Sequence, residues 1–340
     1  MKTKRTFQYL SLLLVFSFIV SFQSCKKEDN YKEVKISAQV PNAHDVVMYE
    51  VNPRAFASQN ALLKITERLD EIKSLGVNVL WLMPIYEEGV YKGKGSPYCI
   101  KNYRAIDSEY GTIEDLKKLV KEAHKRNIIV LMDWVANHTA WDNAWITEHD
   151  DFYTKDENGN IVPPIIDWSD VADLNYDNMA MRDSMINAMK YWIEETNIDG
   201  YRCDAADFVP KNFWETAISE LRSSFPKKKL LMLAEGNKVN YFSLGFDMDY
   251  GWSLYSRLEK LYKDEIKLNV FIEKTKNELS KFEEDKHRLY FTNNHDKSAW
   301  EKTDIQLFNG ERGALSAFVL TATLGGSPMI YSTQEIGYAN

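Results

Sequence analysis

Gly200-Tyr201-Arg202-Cys203-Asp204-Ala205 reads as a buried strand that ends in charge. Successive side chains on a strand point to opposite faces, so Arg202 and Asp204 share one face and Cys203 turns to the other. A guanidinium beside a carboxylate keeps it ionised at neutral pH, the state a nucleophilic carboxylate needs. Cys203, within the strand, reads as a small buried hydrophobe, and no disulfide to Cys99 is expected.

Similar runs lie on either side of this one. Val46–Tyr49, Val77–Pro84, Ile128–Val135 and Leu230–Glu235 are the clearest, followed by Gly245–Met248, Leu289–Asn293 and Pro328–Tyr331. Amphipathic stretches separate most of them. In 61–75, Leu62, Leu63, Ile65, Leu69, Ile72 and Leu75 recur at helical spacing, and 113–126 carries Ile113, Leu116, Leu119, Val120 and Ala123 in the same way. Continuous apolar strands joined by helices predict a parallel sheet covered on both faces, and eight such units close into a barrel. The expected fold is α/β, a (β/α)8 TIM barrel over 41–340.

Between the third and fourth strands the chain makes an excursion over about 139–197, of which only 178–196 reads as a helix. Trp141, Trp145, Asn158-Gly159, Pro163-Pro164 and many Asp mark about 139–177 as a small inserted domain, and long loops inside compact domains are usually functional. The sequence ends about nine residues past the eighth strand, so neither an eighth helix nor a C-terminal β-sandwich is expected within it.

The 340 residues are 44% hydrophobic and 27% charged, ordinary for a globular protein. The net charge of −8 excludes a basic nucleic-acid face. Nine Trp, 19 Tyr and 16 Phe are many; most rings are expected in the core, while exposed ones suit the flat faces of sugars.

The N-terminus reads as an address. Lys2, Lys4 and Arg5 precede an apolar run from Leu10 to Val20, too short to span a bilayer as an ordinary helix. Phe22-Gln23-Ser24-Cys25 and a polar Lys26-Lys27-Glu28-Asp29-Asn30 follow. This is the pattern of a bacterial lipoprotein signal over 1–24, cleaved before a lipidated Cys25, with 25–40 as a tether. A plain secretory signal with an incidental cysteine is the alternative. The expected location is the cell envelope, with the membrane a partner through Cys25.

Three further segments carry chemistry at strand ends. The third strand ends Asp133-Trp134-Val135-Ala136-Asn137-His138, the fifth Leu233-Ala234-Glu235-Gly236, and the seventh Phe291-Thr292-Asn293-Asn294-His295-Asp296. Barrel enzymes build their active sites at the C-terminal ends of the strands, where these residues fall together with Asp204.

In this order, the four segments resemble the conserved regions of the α-amylase family of glycoside hydrolases. So do Tyr49-Glu50-Val51-Asn52-Pro53-Arg54-Ala55-Phe56, Gly76-Val77-Asn78-Val79-Leu80-Trp81-Leu82-Met83-Pro84, Ala172-Asp173-Leu174-Asn175 and Pro328-Met329-Ile330-Tyr331. The resemblance runs from about residue 46 to the end. It implies a retaining hydrolase that cleaves α-glucosidic bonds, α-1,4 above all, in starch, glycogen or maltooligosaccharides by double displacement. Asp204 would be the nucleophile, Glu235 the general acid and then base, and Asp296 the group that grips the sugar's 2- and 3-hydroxyls. A retaining pair has its carboxyl groups about 5–5.5 Å apart. The resemblance also implies that His138 and His295 bond hydroxyls of the same sugar, that Tyr98 stacks beneath it, that Arg202 orients Asp204, and that Asp133 supports Arg202.

The chain departs from the family pattern at several points. Asp207-Phe208 stands where the family often has Lys-His, Tyr98-Cys99-Ile100 precedes Asn102 where Gly-Tyr-His-Gly-Tyr-Trp is familiar, and Thr333-Gln334-Glu335 replaces Gly-Gln-Glu. Asn137 and Asp173 match family calcium ligands. Calcium is therefore a possible cofactor, with Phe208 in place of the His whose carbonyl usually helps to hold it; no organic cofactor is expected. Branched-linkage hydrolases, cyclodextrin hydrolases and transglycosylases share the same trio. A catalytically silent sugar-binding lipoprotein is the alternative of another class, and the presence of Asp204, Glu235, Asp296 and Arg202 together argues against it.

Overall fold

Alternate residues of the strands face two different cores. In the computed structural model, which describes residues 37–236, 240–281, 286–300 and 302–337, eight strands are all parallel and close on themselves. They are β1 (Met48–Val51), β2 (Val79–Leu82), β3 (Ile129–Val135), β4 (Gly200–Asp204), β5 (Leu231–Ala234), β6 (Met248–Tyr250), β7 (His287–Tyr290) and β8 (Ser327–Tyr331). Each pairs with its sequence neighbours, and β8 returns to β1. Met48, Val79, Trp81, Ile129, Leu131, Leu233 and Met329 fill the interior. Tyr49, Leu80, Val130, Met132, Tyr201, Cys203 and Met232 face outward, packed under the helices. This two-sided burial is why the strands lack a polar face. The expected (β/α)8 barrel is the observed fold.

The helices follow their sequence signals. Ile113–Lys125 opens on a capping box between Thr112 and Asp115 and buries Leu116, Leu119, Val120 and Ala123. Met179–Thr196 opens on Asn178, whose side chain accepts from the Met181 N–H, and stops at Asn197 in the left-handed region. The single helix expected over 61–75 is two, Ala61–Glu67 and Leu69–Ser74, broken where Arg68 leaves helical geometry. Cys99 and Cys203 are both buried and free.

Two antiparallel pairs stand on the C-terminal mouth of the barrel. Tyr86–Glu88 pairs with Ile100–Ile106, a hairpin that the hydrophobic pattern does not reveal. His138–Ala140 pairs with Val171–Asp173 and closes the base of the excursion. Inside the excursion are a short helix, Trp145–Glu148, and a turn of 3-10 helix, Asp150–Phe152. Its Phe152, Tyr153, Ala172 and Leu174 share the core that lies between barrel and helices. Among the described residues no helix is long and apolar enough to cross a membrane. The expected signal over 1–24 and the lipidation site Cys25 lie outside the described residues.

Gly200 opens β4 with φ +147°, and a Cβ added there would lie 1.9 Å from the Leu231 carbonyl oxygen. Only glycine lets β4 lie against β5 at this point, and that contact sets the height of Arg202 and Asp204. We expect Gly200→Ala to destabilise the chain by about 2–4 kcal/mol, read as a lowered urea midpoint. An unchanged midpoint would mean that the strand pairing tolerates the shift.

Candidate active site

Strand register builds the site. On paired strands Asp133 lies opposite Arg202 and Val135 opposite Asp204. One residue past β5, the Glu235 N–H donates to the Cys203 carbonyl at 3.0 Å. Three carboxylates thus reach one inward-pointing guanidinium at the C-terminal ends of three adjacent strands.

Arg202 is fully buried. Its Nη1 donates to Asp133 Oδ1 and Oδ2 at 2.8 and 3.0 Å and to Asp204 Oδ1 at 2.8 Å. Its Nη2 lies 2.8 Å from Glu235 Oε2. The guanidinium carbon sits 4.9 Å from the Trp81 ring centre and within 6 Å of those of Tyr98 and Tyr250. Burial works against its charge, and Asp133 and Glu235 more than restore it. Burial pushes Asp204 upward, Arg202 pulls it back, and Glu235 and Asp133 add to the rise. One cation among three carboxylates leaves excess negative charge at a largely buried site.

A second chain of contacts runs along the mouth. The Tyr98 hydroxyl donates to Asp133 Oδ2 at 3.1 Å and is 2.8 Å from His295 Nε2, and the two rings stack at 5.4 Å. His295 Nδ1 lies 2.6 Å from Glu50 Oε1, and its Nε2 lies 3.4 Å from Asp296 Oδ1. The Asp296 side chain is 44% exposed, whereas those of Asp204 and Glu235 are 12% and 14% exposed. Asp296 therefore stands at the rim and the other two lie deeper. His138 is buried beside the Asn137 amide, at 3.2 Å, with the edge of Trp168 against its ring.

The residues expected from sequence thus form one connected group of Tyr98, Arg202, Asp204, Glu235, His295 and Asp296. His138 stands one contact away, touching it through the Tyr98 backbone. Three further members, Glu50, Trp81 and Tyr250, lie outside the residues that the sequence predicts for the site. Glu50 holds His295, Trp81 donates through Nε1 to Asp133 Oδ2 at 3.1 Å, and Tyr250 backs the guanidinium. For Glu50 a signal existed, a lone acid at an inward position of an apolar strand.

Asn137 and Asp173 supply two of the side chains that calcium would use. Such an ion takes six to eight oxygen ligands, and these two side chains supply few. The neighbouring carbonyls are engaged: Tyr103 donates to those of Val135 and His138, Tyr176 to that of Ala136, and Leu174 N–H to that of Asn137. Among the described residues no group of three or more His, Cys, Asp or Glu is arranged to hold a metal ion. Asn137 and Asp173 alone give part of the six to eight oxygens that calcium takes, and no chemical step below passes through a metal.

Comparison with known proteins decides the family. The alpha-amylase catalytic domain matches residues 51–160 and 165–241. The chain belongs to the alpha-amylase family. Alpha-amylase 2 of Dictyoglomus thermophilum is 32% identical over 294 residues, covering 80% of this chain and 49% of that protein. Alpha-amylase 3 of the same organism is 28% identical over 332 residues, covering 86% and 64%. The chain thus spans half to two thirds of the length of these alpha-amylases. Among solved structures, an alpha-amylase from Lactobacillus plantarum superposes with a TM-score of 0.80 at 29% identity, over 88% of this chain and 73% of that one. A maltogenic alpha-amylase from Thermotoga neapolitana does so with a TM-score of 0.80 at 33% identity, over 88% and 70%.

The two mouth histidines titrate in opposite directions. Burial draws His295 down, but Glu50 outweighs it and lifts the ring from 6.5 to about 9. Its contribution to stability is complete below pH 6.5 and is lost as pH rises through about 9. Burial lowers His138 to about 4, so its contribution is complete above pH 6.5 and is lost as pH falls toward 4. Side-chain nitrogen NMR should find His295 still cationic at pH 8 and His138 still neutral at pH 5. Both titrating near 6.5 would contradict the arrangement.

Proposed function

We propose that the protein is a retaining glycoside hydrolase that cleaves α-glucosidic bonds, α-1,4 in the first place, in starch, glycogen or maltooligosaccharides. The observation that carries this reading is the shared guanidinium, which brings Asp204 and Glu235 to its two terminal nitrogens. A retaining mechanism needs the two carboxyl groups about 5–5.5 Å apart, and a guanidinium that contacts both keeps them near one another. Family membership and named relatives that are amylases and glucosidases support the reaction class.

In this reading Asp204 attacks the anomeric carbon while Glu235 passes its proton to the departing glycosidic oxygen. The bond to that oxygen breaks as a glycosyl ester forms on Asp204. Glu235, now a carboxylate, takes a proton from water, which attacks the same carbon and frees Asp204. Two displacements restore the starting configuration. Arg202 fixes the nucleophile and balances its charge. Asp296, at the rim, grips the sugar's hydroxyls together with His295 and His138, and Tyr98 supplies the ring beneath it. The N-terminal pattern ending at Cys25 supports a lipid-anchored enzyme of the cell envelope.

Reducing-sugar release from soluble starch, maltoheptaose and pullulan tests the proposal. Asp204→Asn and Glu235→Gln should each lower kcat by roughly 10³-fold or more, with circular dichroism unchanged. Release that survives both substitutions, or a folded wild-type chain that binds maltooligosaccharide and releases nothing, would overturn it.

A further inference from the structure

We propose that Tyr241 and Asp207 are positioning residues, a hydrogen-bonded latch that braces the backbone on both sides of Glu235 and so aims its proton at the leaving oxygen. The proposal rests on the hydrolase reading above and deepens it by naming what holds the acid in place.

One carboxyl oxygen of Glu235 is already engaged. Oε2 accepts from the Ala205 N–H at 2.8 Å and lies 2.8 Å from Arg202 Nη2. A donor and a cation at one oxygen turn a proton away from it, so the proton that Glu235 transfers sits on Oε1. Where Oε1 points then depends on Ala205. That residue holds φ 44° and ψ 40°, a left-handed conformation that residues other than glycine rarely adopt. It persists only where the surroundings fix it, and such strain collects at functional positions.

The latch supplies those surroundings. Tyr241 is fully buried, and its ring packs edge-on against Phe246 at 5.4 Å. Its hydroxyl donates to Asp207 Oδ1 at 2.5 Å, two residues beyond Ala205. The same hydroxyl lies against Gly236, where an added Cβ would be 2.3 Å from it. One phenol thus braces the residue after Glu235 and the loop whose N–H meets the Glu235 carboxyl group. Between these two points the Ala206 N–H donates to the Glu235 carbonyl at 3.0 Å, and Trp214 Nε1 donates to the Ala206 carbonyl at 3.3 Å. Asp207 is also a position at which this chain departs from the family pattern.

Two aryl α-maltotriosides separate acid positioning from general damage. They share the donor sugars and an aryl ring, but dinitrophenolate leaves unaided whereas phenolate needs a proton from Glu235. For Tyr241→Phe and Asp207→Ala, kcat/KM should fall about tenfold on phenyl α-maltotrioside and less than about twofold on the dinitrophenyl compound. The double variant should lose no more than either single one, because both remove the same bond. Asp207→Asn keeps an accepting oxygen and should retain most of the wild-type ratio. If the wild-type chain cleaves both substrates and the ratio is the same in the single variants, including when both rates fall together, the latch is overturned alone. Losses that add in the double variant would overturn it as well. If the wild-type chain cleaves neither substrate, the hydrolase reading falls and the latch with it.

Discussion

Everything at the mouth of this barrel depends on one buried guanidinium. Arg202 has no exposed surface, and its terminal nitrogens meet Asp133, Asp204 and Glu235. None of the four could stand there alone. An isolated ion in such a place carries a desolvation penalty of several kcal/mol, and removing one partner from a buried pair typically costs about 3–5 kcal/mol. The acids also outnumber the cation, which leaves the cluster electrically unfinished. Such a site favours a ligand that develops positive charge, as an oxocarbenium-like transition state does.

The barrel makes this cluster possible through a parity rule. Inward positions on β3 and β4 bear aliphatic residues or glycine deep in the barrel and charge at the mouth: Ile129 and Leu131 precede Asp133, and Gly200 precedes Arg202 and Asp204. The packed interior excludes water from below. The two antiparallel pairs bring Tyr98, His138 and Trp168 in from above. Rigid strands hold the reacting acids, while the loops supply the surfaces that meet the rest of the substrate. That division lets specificity change without moving the chemistry.

Most of this was legible in the sequence where a short-range rule governed it. Alternation placed Arg202 and Asp204 inward and Cys203 outward, and apolar runs located β3, β4 and β5 closely. Reading failed where local chemistry overrode the pattern. The run Gly245–Met248 predicts a sixth strand from Gly245, but Gly245 lies in the left-handed region and ends a 3-10 turn, so β6 begins at Met248. Polar His287 and Arg288 hid the start of β7, because Arg288 is paired with Asp249 and Glu278 rather than exposed. Of the site, the strand-end acids were legible through the family resemblance. The partnerships of Glu50 with His295 and of Tyr241 with Asp207 join residues 245 and 34 apart in the sequence. No local pattern could have revealed either.

The central claim is that Asp204 forms the bond to the sugar while Glu235 handles the protons. The Glu235→Gln variant separates these roles. With α-maltotriosyl fluoride the first displacement needs no acid, because fluoride leaves unaided, whereas the second lacks its base. A glycosyl ester should therefore accumulate, and peptide mass mapping should find the maltotriosyl group on Asp204. No adduct, or an adduct on any other residue, would contradict the account.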